Sequence, residues 1–327
     1  MVKGLVLFSG GLDSVIAVHL LKSQGIEITA LHFVLPFYSG FGFSNSEVKK
    51  YAQALDVSLR IEEEGEDFLN MIKNPKFGFG KNANPWIDCR IHRLKKAYKI
   101  MLDEGASFIA TGEVVGQRPM SQRMDALYKI ENNSDLNGLL LRPLSAKLLN
   151  PTKAETDGLV DREKLMDISG KNRARQLEYS KKYNLVHATP AGGCILTNIH
   201  TAGRFHEMVQ NDKEFSLADF KLLAYGRHFR INGHKVVISR NEDENDILEK
   251  VCNENTCYFE LSEVDGPVAV ASSGIDIDSI KIAASMLARY SKARNENEVK
   301  VNVSCMGNRS QVIVKPSSPE YCESLLI

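Results

Sequence analysis

A chain of 327 residues with 43% hydrophobic and 25% charged side chains carries apolar material for more than one core, and its length fits two domains. Lysine plus arginine balance aspartate plus glutamate at 41 each, so net charge points neither to nucleic acid nor to a membrane surface. Six cysteines, at 89, 194, 252, 257, 305 and 322, are too sparse for a disulfide scaffold and include no Cys-x-x-Cys pair, and no apolar run nears the ~20 residues of a membrane span.

The chain enters an apolar run at once. Gly4 to Phe8 lacks alternation and reads as a strand covered on both faces. That start leaves no room for a signal peptide, so a cytoplasmic location is the expectation. The turn Ser9-Gly10-Gly11-Leu12-Asp13-Ser14 leads to a helix expected from near Val15 to Gly25, with Val15, Ile16, Val18 and Leu21 toward one face. Adjacent glycines let backbone approach a ligand closely, and a helix N-terminus presents unpaired N–H groups with partial positive charge. Ser9 and Ser14 add hydroxyls, so the turn suits phosphate or pyrophosphate. It is neither a Walker A loop nor a Gly-x-Gly-x-x-Gly dinucleotide loop.

Glu27 to Phe33 reads as a second buried strand, and Phe37 to Phe43 as an aromatic, glycine-rich loop. A helix over Ser46–Leu55 and a strand over Asp56–Ile61 follow, then a segment broken by Pro75, Gly78 and Gly80. A basic helix is expected from Ile91 to Glu104, then a strand at Phe108-Ile109-Ala110 ending in Thr111-Gly112. Strands alternating with helices predict an α/β fold, a doubly wound parallel sheet whose ligands gather at the carboxyl ends of its strands. Ser9-Gly10-Gly11 and Thr111-Gly112-Glu113 both fall at such ends and are expected to share a pocket.

Lys81, Arg90, Arg93, Lys95, Lys96 and Lys99 stand near one acid, Asp88. This cluster suits either RNA phosphates or a solvated helix face. Asn84-Pro85 is a turn signal that places Cys89 at or near the start of the basic helix, where the helix dipole, Arg90 and Arg93 favour a thiolate. Gly116-Gln117-Arg118-Pro119-Met120-Ser121-Gln122 follows a sheet end, where Gln117 and Arg118 face ATP or RNA, or merely make a turn. Further on, Leu139 to Leu149 is apolar, and helical stretches are expected at Pro151–Glu155, Arg162–Ile168 and Asn172–Tyr183. Thr189 to Cys194 is a turn-rich loop that carries the second cysteine of this region.

The polar stretch Asn211-Asp212-Lys213-Glu214 suggests a division into domains of residues 1–210 and 215–327. Beyond it, Asn232-Gly233 between two short apolar runs predicts a hairpin. Helices over Asn241–Val251 and Ser279–Ser291, with strands at Tyr258–Leu261, Val268–Ala271, Val299–Ser304 and Gln311–Val314, predict a smaller α+β domain. This half holds a slight excess of acid, which argues against a broad phosphate-binding surface.

Ser-Gly-Gly-x-Asp-Ser at the end of the first strand resembles the loop of the PP-loop ATP pyrophosphatases. Asn-Pro-x-x-x-Cys before a basic helix, with a later Gly-Gly-Cys loop, resembles the tRNA 2-thiouridylases within that group. The resemblance covers roughly residues 1–200. It implies ATP with Mg²⁺ as cofactors, and tRNA and a persulfide sulfur donor protein as partners. By position, Ser9, Gly10, Gly11, Asp13 and Ser14 would bind phosphates, with Phe33, Thr111 and Gly112 at the nucleotide pocket. Asp13, Cys89 and Cys194 would be catalytic, and Lys81, Arg90, Arg93, Lys96, Gln117 and Arg118 would face RNA. Related thiolases carry a [4Fe–4S] cluster on three cysteines, but Trp86 stands where the third would be, so persulfide chemistry is favoured over an iron–sulfur cluster. Gly226 to Arg230 and Val236 to Asn241 resemble the RNA-binding module of NFACT proteins, and Arg227, His228, Arg230 and Arg240 would contact phosphates. Two other readings remain open: a PP-loop amidotransferase or ligase adenylating a small substrate, and a non-catalytic RNA-binding protein.

Overall fold

The computed structural model describes residues 2–37, 45–118, 121–189, 194–212, 214–272 and 274–327. The aromatic loop from Tyr38 to Phe43, Pro119-Met120 and Pro190–Gly193 lie outside the described residues. The chain divides into two compact units, Met1–Cys194 and Ile195–Ile327.

The first unit is a five-stranded parallel sheet in the order β3-β2-β1-β4-β5. Its strands are β1 (Lys3–Leu7), β2 (Glu27–Val34), β3 (Ser58–Glu63), β4 (Phe108–Thr111) and the short β5 (Leu140–Leu141). Its helices are α1 (Leu12–Lys22), α2 (Ser46–Ala54), α3 (Glu66–Lys73), α4 (Trp86–Asp103), α5 (Met124–Asn132), α6 (Lys153–Thr156) and α7 (Ala174–Lys182). Helices cover both faces. Val6 and Phe108 pack with Val15 and Val18 of α1 on one side, while Leu5, Leu31 and Ile109 pack with Leu94 and Ala97 of α4 on the other. Successive strands run outward from β1 in one direction and then restart at β4 on its other side. The crevice at that reversal, outside the carboxyl ends of β1 and β4, is where such sheets bind ligands.

The helix expected over Arg162–Ile168 is not formed. Only a 3₁₀ turn, Arg162–Lys164, appears, capped by the Asp161 side chain on the Glu163 N–H. Beyond it Leu165 and Ile168 are buried in extended chain, with the Ile168 N–H donating to Leu144 O at 2.8 Å. Tertiary pairing overrides local helical preference here.

The second unit holds α8 (Ile199–Asn211), α9 (Leu217–Leu222), β6 (Arg227–Ile231), β7 (His234–Ile238), α10 (Glu242–Val251), β8 (Thr256–Leu261), β9 (Ala269–Ser272), α11 (Ile277–Arg289), β10 (Val299–Cys305), β11 (Asn308–Val314) and α12 (Pro319–Ser324). Its six-stranded antiparallel sheet, ordered β11-β10-β8-β9-β7-β6, packs with Ala283, Ala284 and Leu287 of α11 in one core. Asn232 (φ 46°) and Gly233 (φ 88°) form the two-residue hairpin turn between β6 and β7. Cys257 and Cys305, opposite one another in β8 and β10, form a disulfide. Helices α8, α9 and α12 of this unit, like α5 of the first, carry no strong local signature in the sequence. Among the described residues no helix is long and apolar enough to cross a membrane.

Candidate functional site

The Ser9–Ser14 turn closes more tightly than its sequence suggests. Gly11 caps α1, which starts at Leu12 rather than near Val15, so Asp13 and Ser14 lie in its first turn. The Ser14 hydroxyl donates to Gly11 O at 2.8 Å and accepts from the Ser9 N–H at 3.3 Å, fixing the turn from within. Two glycines are required by close approach. Gly10 has φ +74°, and a Cβ there would lie 2.5 Å from the Tyr51 ring. A Cβ on Gly112 would lie 2.6 Å from the backbone of Asp13 and Ser14, so only glycine lets the end of β4 rest on the first turn of α1.

A cavity of about 560 Å³ opens at this junction. Ser9, Gly11, Asp13, Ser14, Phe33, Thr111 and Gly112 all line it, while Gly10 lies buried beneath Tyr51. Arg90, Arg93, Gln117 and Arg118 line it as well, whereas Lys81 is exposed and away from it. Asp13 Oδ2 accepts from Gln117 Nε2 at 2.7 Å and from Arg173 Nη2 at 2.8 Å. Gln176 Nε2 in turn donates to Gln117 Oε1 at 3.0 Å, and Asp13 Oδ1 is buried without a partner. Sequence reasoning noted Arg173 only as one cation of a basic stretch. Nothing local marks its partner, because Asp13 lies 160 positions earlier.

At the cavity floor Glu113 is buried between Arg142 at 3.2 Å and Arg90 at 3.6 Å, and it accepts from the Thr111 hydroxyl at 3.1 Å. Burial pushes its carboxyl up, but the two guanidiniums outweigh that and hold it below the ordinary carboxylate range. Sequence reasoning placed Glu113 at the pocket without a role.

Helix α4 begins at Trp86, ahead of the expected Ile91, because Asp88 caps the preceding loop. Its carboxylate accepts from the backbone N–H groups of Lys76 and Phe77, both at 3.0 Å. Cys89 therefore sits in the first turn, its own N–H already bonded to Pro85 O at 2.8 Å. Arg93 lies one turn further on. Its Nε donates to Glu64 Oε1 at 3.0 Å, its guanidinium lies 5.6 Å from the Phe33 ring, and its Nη2 is buried without a partner. Burial works against its charge, yet Cys89, Glu64 and Cys194 together outweigh this and hold its pKa up. Both half-buried cysteines thus act on one guanidinium that also walls the cavity.

Most of the basic cluster turns inward. Glu64 also accepts from His92 Nε2 and Lys96 Nζ, each at 3.1 Å, and Lys96 reaches Asp67 at 3.2 Å. Glu64, Asp67 and His92 offer donor atoms close enough for a cation, but the Lys96 ammonium already bridges the two carboxylates. The donor set does not fit a three-cysteine iron–sulfur cluster either. Residues 1–194 contain only Cys89 and Cys194, and the Asp88 carboxylate is spent on the loop.

In the second unit the four expected phosphate contacts are engaged internally. His228 is fully buried, with Nε2 against Leu222 O and Tyr225 O, which corrects its reading as an RNA contact. Arg230 pairs with Glu207 and Asp212, Arg240 with Glu244, and Arg227 donates to Ser239 O and lies over Tyr290.

Residues 1–148 match the family described as thiamine biosynthesis protein (ThiI), and residues 226–325 match the NFACT protein RNA binding domain. A tRNA sulfurtransferase of Desulfurococcus amylolyticus is 29% identical over 151 residues, covering 43% of this chain and 29% of the relative. The tRNA-specific 2-thiouridylase MnmA of Sulfurimonas denitrificans is 31% identical over 122 residues, 35% of each. The chain thus spans about a third of the length of the curated relatives it matches. A solved 4-thiouridine synthetase–RNA complex with bound ATP aligns with a TM-score of 0.39 at 18% identity, covering 64% of this chain and 51% of that one. By loop, sheet order and family match, the first unit is a PP-loop domain of the thiouridylase-like kind, and the second carries a segment similar to the NFACT RNA binding domain.

Proposed function

We propose that the protein is an ATP-dependent RNA sulfurtransferase that thiolates tRNA. One observation carries the reading: Arg93 walls the phosphate-loop cavity and is at the same time the common neighbour of Cys89 and Cys194. A ligase or amidotransferase has no use for two thiols beside its nucleotide.

In this reading the Ser9–Ser14 turn seats ATP's terminal phosphates, while Phe33, Thr111 and Gly112 border the nucleotide. Asp13 Oδ1, buried and without a partner, is the oxygen suited to the Mg²⁺ that accompanies ATP. A uridine carbonyl oxygen attacks the α-phosphorus and pyrophosphate leaves, so the carbonyl carbon bears AMP as leaving group. Arg173 and Arg118 on the cavity wall offset charge developing on the α-phosphate. A persulfide sulfur on Cys194 then attacks that carbon. The C–S bond forms, the C–O bond breaks, and AMP departs with the electron pair. Cys89 attacks Cys194 Sγ, the thiolated uridine leaves with the transferred sulfur, and a Cys89–Cys194 disulfide remains for a dithiol reductant. A persulfide-bearing protein recharges Cys194, and the second unit supplies RNA contacts. A cytoplasmic setting suits this thiol chemistry.

Mass spectrometry of tRNA nucleosides from cells with and without the protein tests the substrate, and product analysis tests the ATP chemistry. Loss of one thiolated nucleoside, with AMP and pyrophosphate as products, is expected. ADP and orthophosphate, or an unchanged nucleoside profile, would overturn the proposal.

A further inference from the structure

Arg93 has hydrogen-bonding capacity that the protein does not use. Its Nε is committed to Glu64 at 3.0 Å, but Nη2 is buried with no acceptor among the described residues. An unmatched donor on a buried charged group is costly, which marks the position as one arranged for an acceptor. The acceptor has to be anionic or strongly polar, and it has to lie near Cys89 and Cys194, whose charges reach this guanidinium.

Other charges around Arg93 are already matched. Glu64 is shared with His92 and Lys96, and Lys96 continues to Asp67. Arg90, on the next turn of the same helix, pairs with Glu113. His32, on β2, bonds Phe8 O through Nδ1, and burial and the Arg93 charge keep it neutral at a lowered pKa. A sulfur anion is the group nearby for which this pattern leaves no other cation.

We propose that Arg93, fixed by Glu64, is an anion seat shared by Cys89 and Cys194, taking whichever sulfur carries the negative charge, one at a time. A single Nη2 donor serves one anion, and two thiolates beside one guanidinium repel each other. The two thiols therefore titrate as a coupled pair. Such a seat deepens the thiolation reading and rests on it for its purpose, because sulfur transfer needs one nucleophilic sulfur while its partner stays protonated. Glu64 is a positioning residue that acts through Arg93.

The test uses the full-length protein without ATP or RNA. Iodoacetamide alkylation is followed against pH, with mass spectrometry separating the Cys89 and Cys194 peptides. In Arg93→Gln the thiolate form of at least one cysteine should appear about one pH unit higher, slowing its alkylation at pH 7 about tenfold. Arg93→Lys, which keeps the charge, should recover part of that loss. In Cys89→Ser the Cys194 curve should move to lower pH, and in Cys89→Ser/Arg93→Gln that shift should vanish. Unchanged curves in folded Arg93→Gln, or a Cys194 curve indifferent to Cys89→Ser, would overturn the shared seat. If Arg93→Gln does not fold, the Arg93→Lys and Cys89→Ser arms still decide. Alkylation is read without RNA, so a failure of tRNA thiolation leaves this result standing, and the reverse holds as well.

Discussion

Arg173, at the N-cap of α7, donates from Nη2 to Asp13 Oδ2 at 2.8 Å and so ties the start of one helix to the first turn of another. The pair is partly exposed, so the link contributes about 1 kcal/mol or less to stability. Its position on the cavity wall gives it more weight in function. Asp13→Asn keeps the shape, and Gln117 can still reach the amide oxygen. We expect the melting temperature to fall by no more than roughly 2–4 °C. Turnover of ATP should fall about 10²-fold. A thermal melt beside a pyrophosphate-release assay separates the two, and equal losses would make Asp13 structural.

Gly112→Ala places a Cβ against the Asp13 and Ser14 backbone, which cannot move without shifting the start of α1. Destabilisation of about 1–3 kcal/mol is expected, with weaker nucleotide binding. Gly105→Ala supplies the contrast. It also has positive φ but meets nothing within 4 Å, so it should lose stability and leave nucleotide affinity intact. Calorimetric titration with a non-hydrolysable ATP analogue reads the difference. The account of this junction fails if both variants bind equally well.

The second unit should lose stability on mild acidification. His228 is buried, its Nε2 is bonded to two carbonyls, and its Nδ1 has no acceptor, so a second proton would be stranded. Burial, with Lys235 and Arg204 nearby, lowers its pKa well below the ordinary histidine value. The unfolded chain therefore binds the proton first. Stability is full above pH ~6.5 and falls as pH drops below it, by at most about 1.4 kcal/mol per unit, until the folded-state pKa is reached. Urea unfolding at pH 7 and pH 5 should show this loss, and His228→Gln should flatten it. A slope unchanged by the substitution would place the effect elsewhere.

Lysines of the basic helix should separate into two kinds. Lys96 is tied to Glu64 and Asp67, so Lys96→Glu should destabilise the first unit by leaving buried Glu64 short of a partner. Lys81 and Lys99 are exposed, so Lys81→Glu/Lys99→Glu should leave the melt unchanged and weaken tRNA binding. Each lost duplex phosphate contact lowers the log–log salt slope by roughly 0.9. An unaltered slope would remove this face from the RNA interface.

Much of the frame could be read from neighbouring residues alone. The apolar run before Ser9, the paired glycines and the Asn232-Gly233 turn each act through local sterics, and each appears where the sequence puts it. The start of α1 did not, because Gly11 takes the capping conformation and draws Asp13 and Ser14 into the first turn. Residues 162–168 look helical in isolation, yet they are held extended by partners at Leu144 and Ser145. The run of cations from Lys81 to Lys99 shows how much charge is present but not where it goes. Glu64, which lies between β3 and α3, binds three of the side chains from α4, and an ion pair depends on distance in space rather than along the chain. Sequence alone therefore determined the phosphate loop, the parallel sheet and the two reactive thiols. Only the tertiary structure decided that Arg173 meets Asp13 and that Arg93, unused at one nitrogen, stands beside both cysteines, because those contacts exist only once β1, β4 and α4 have converged on one crevice.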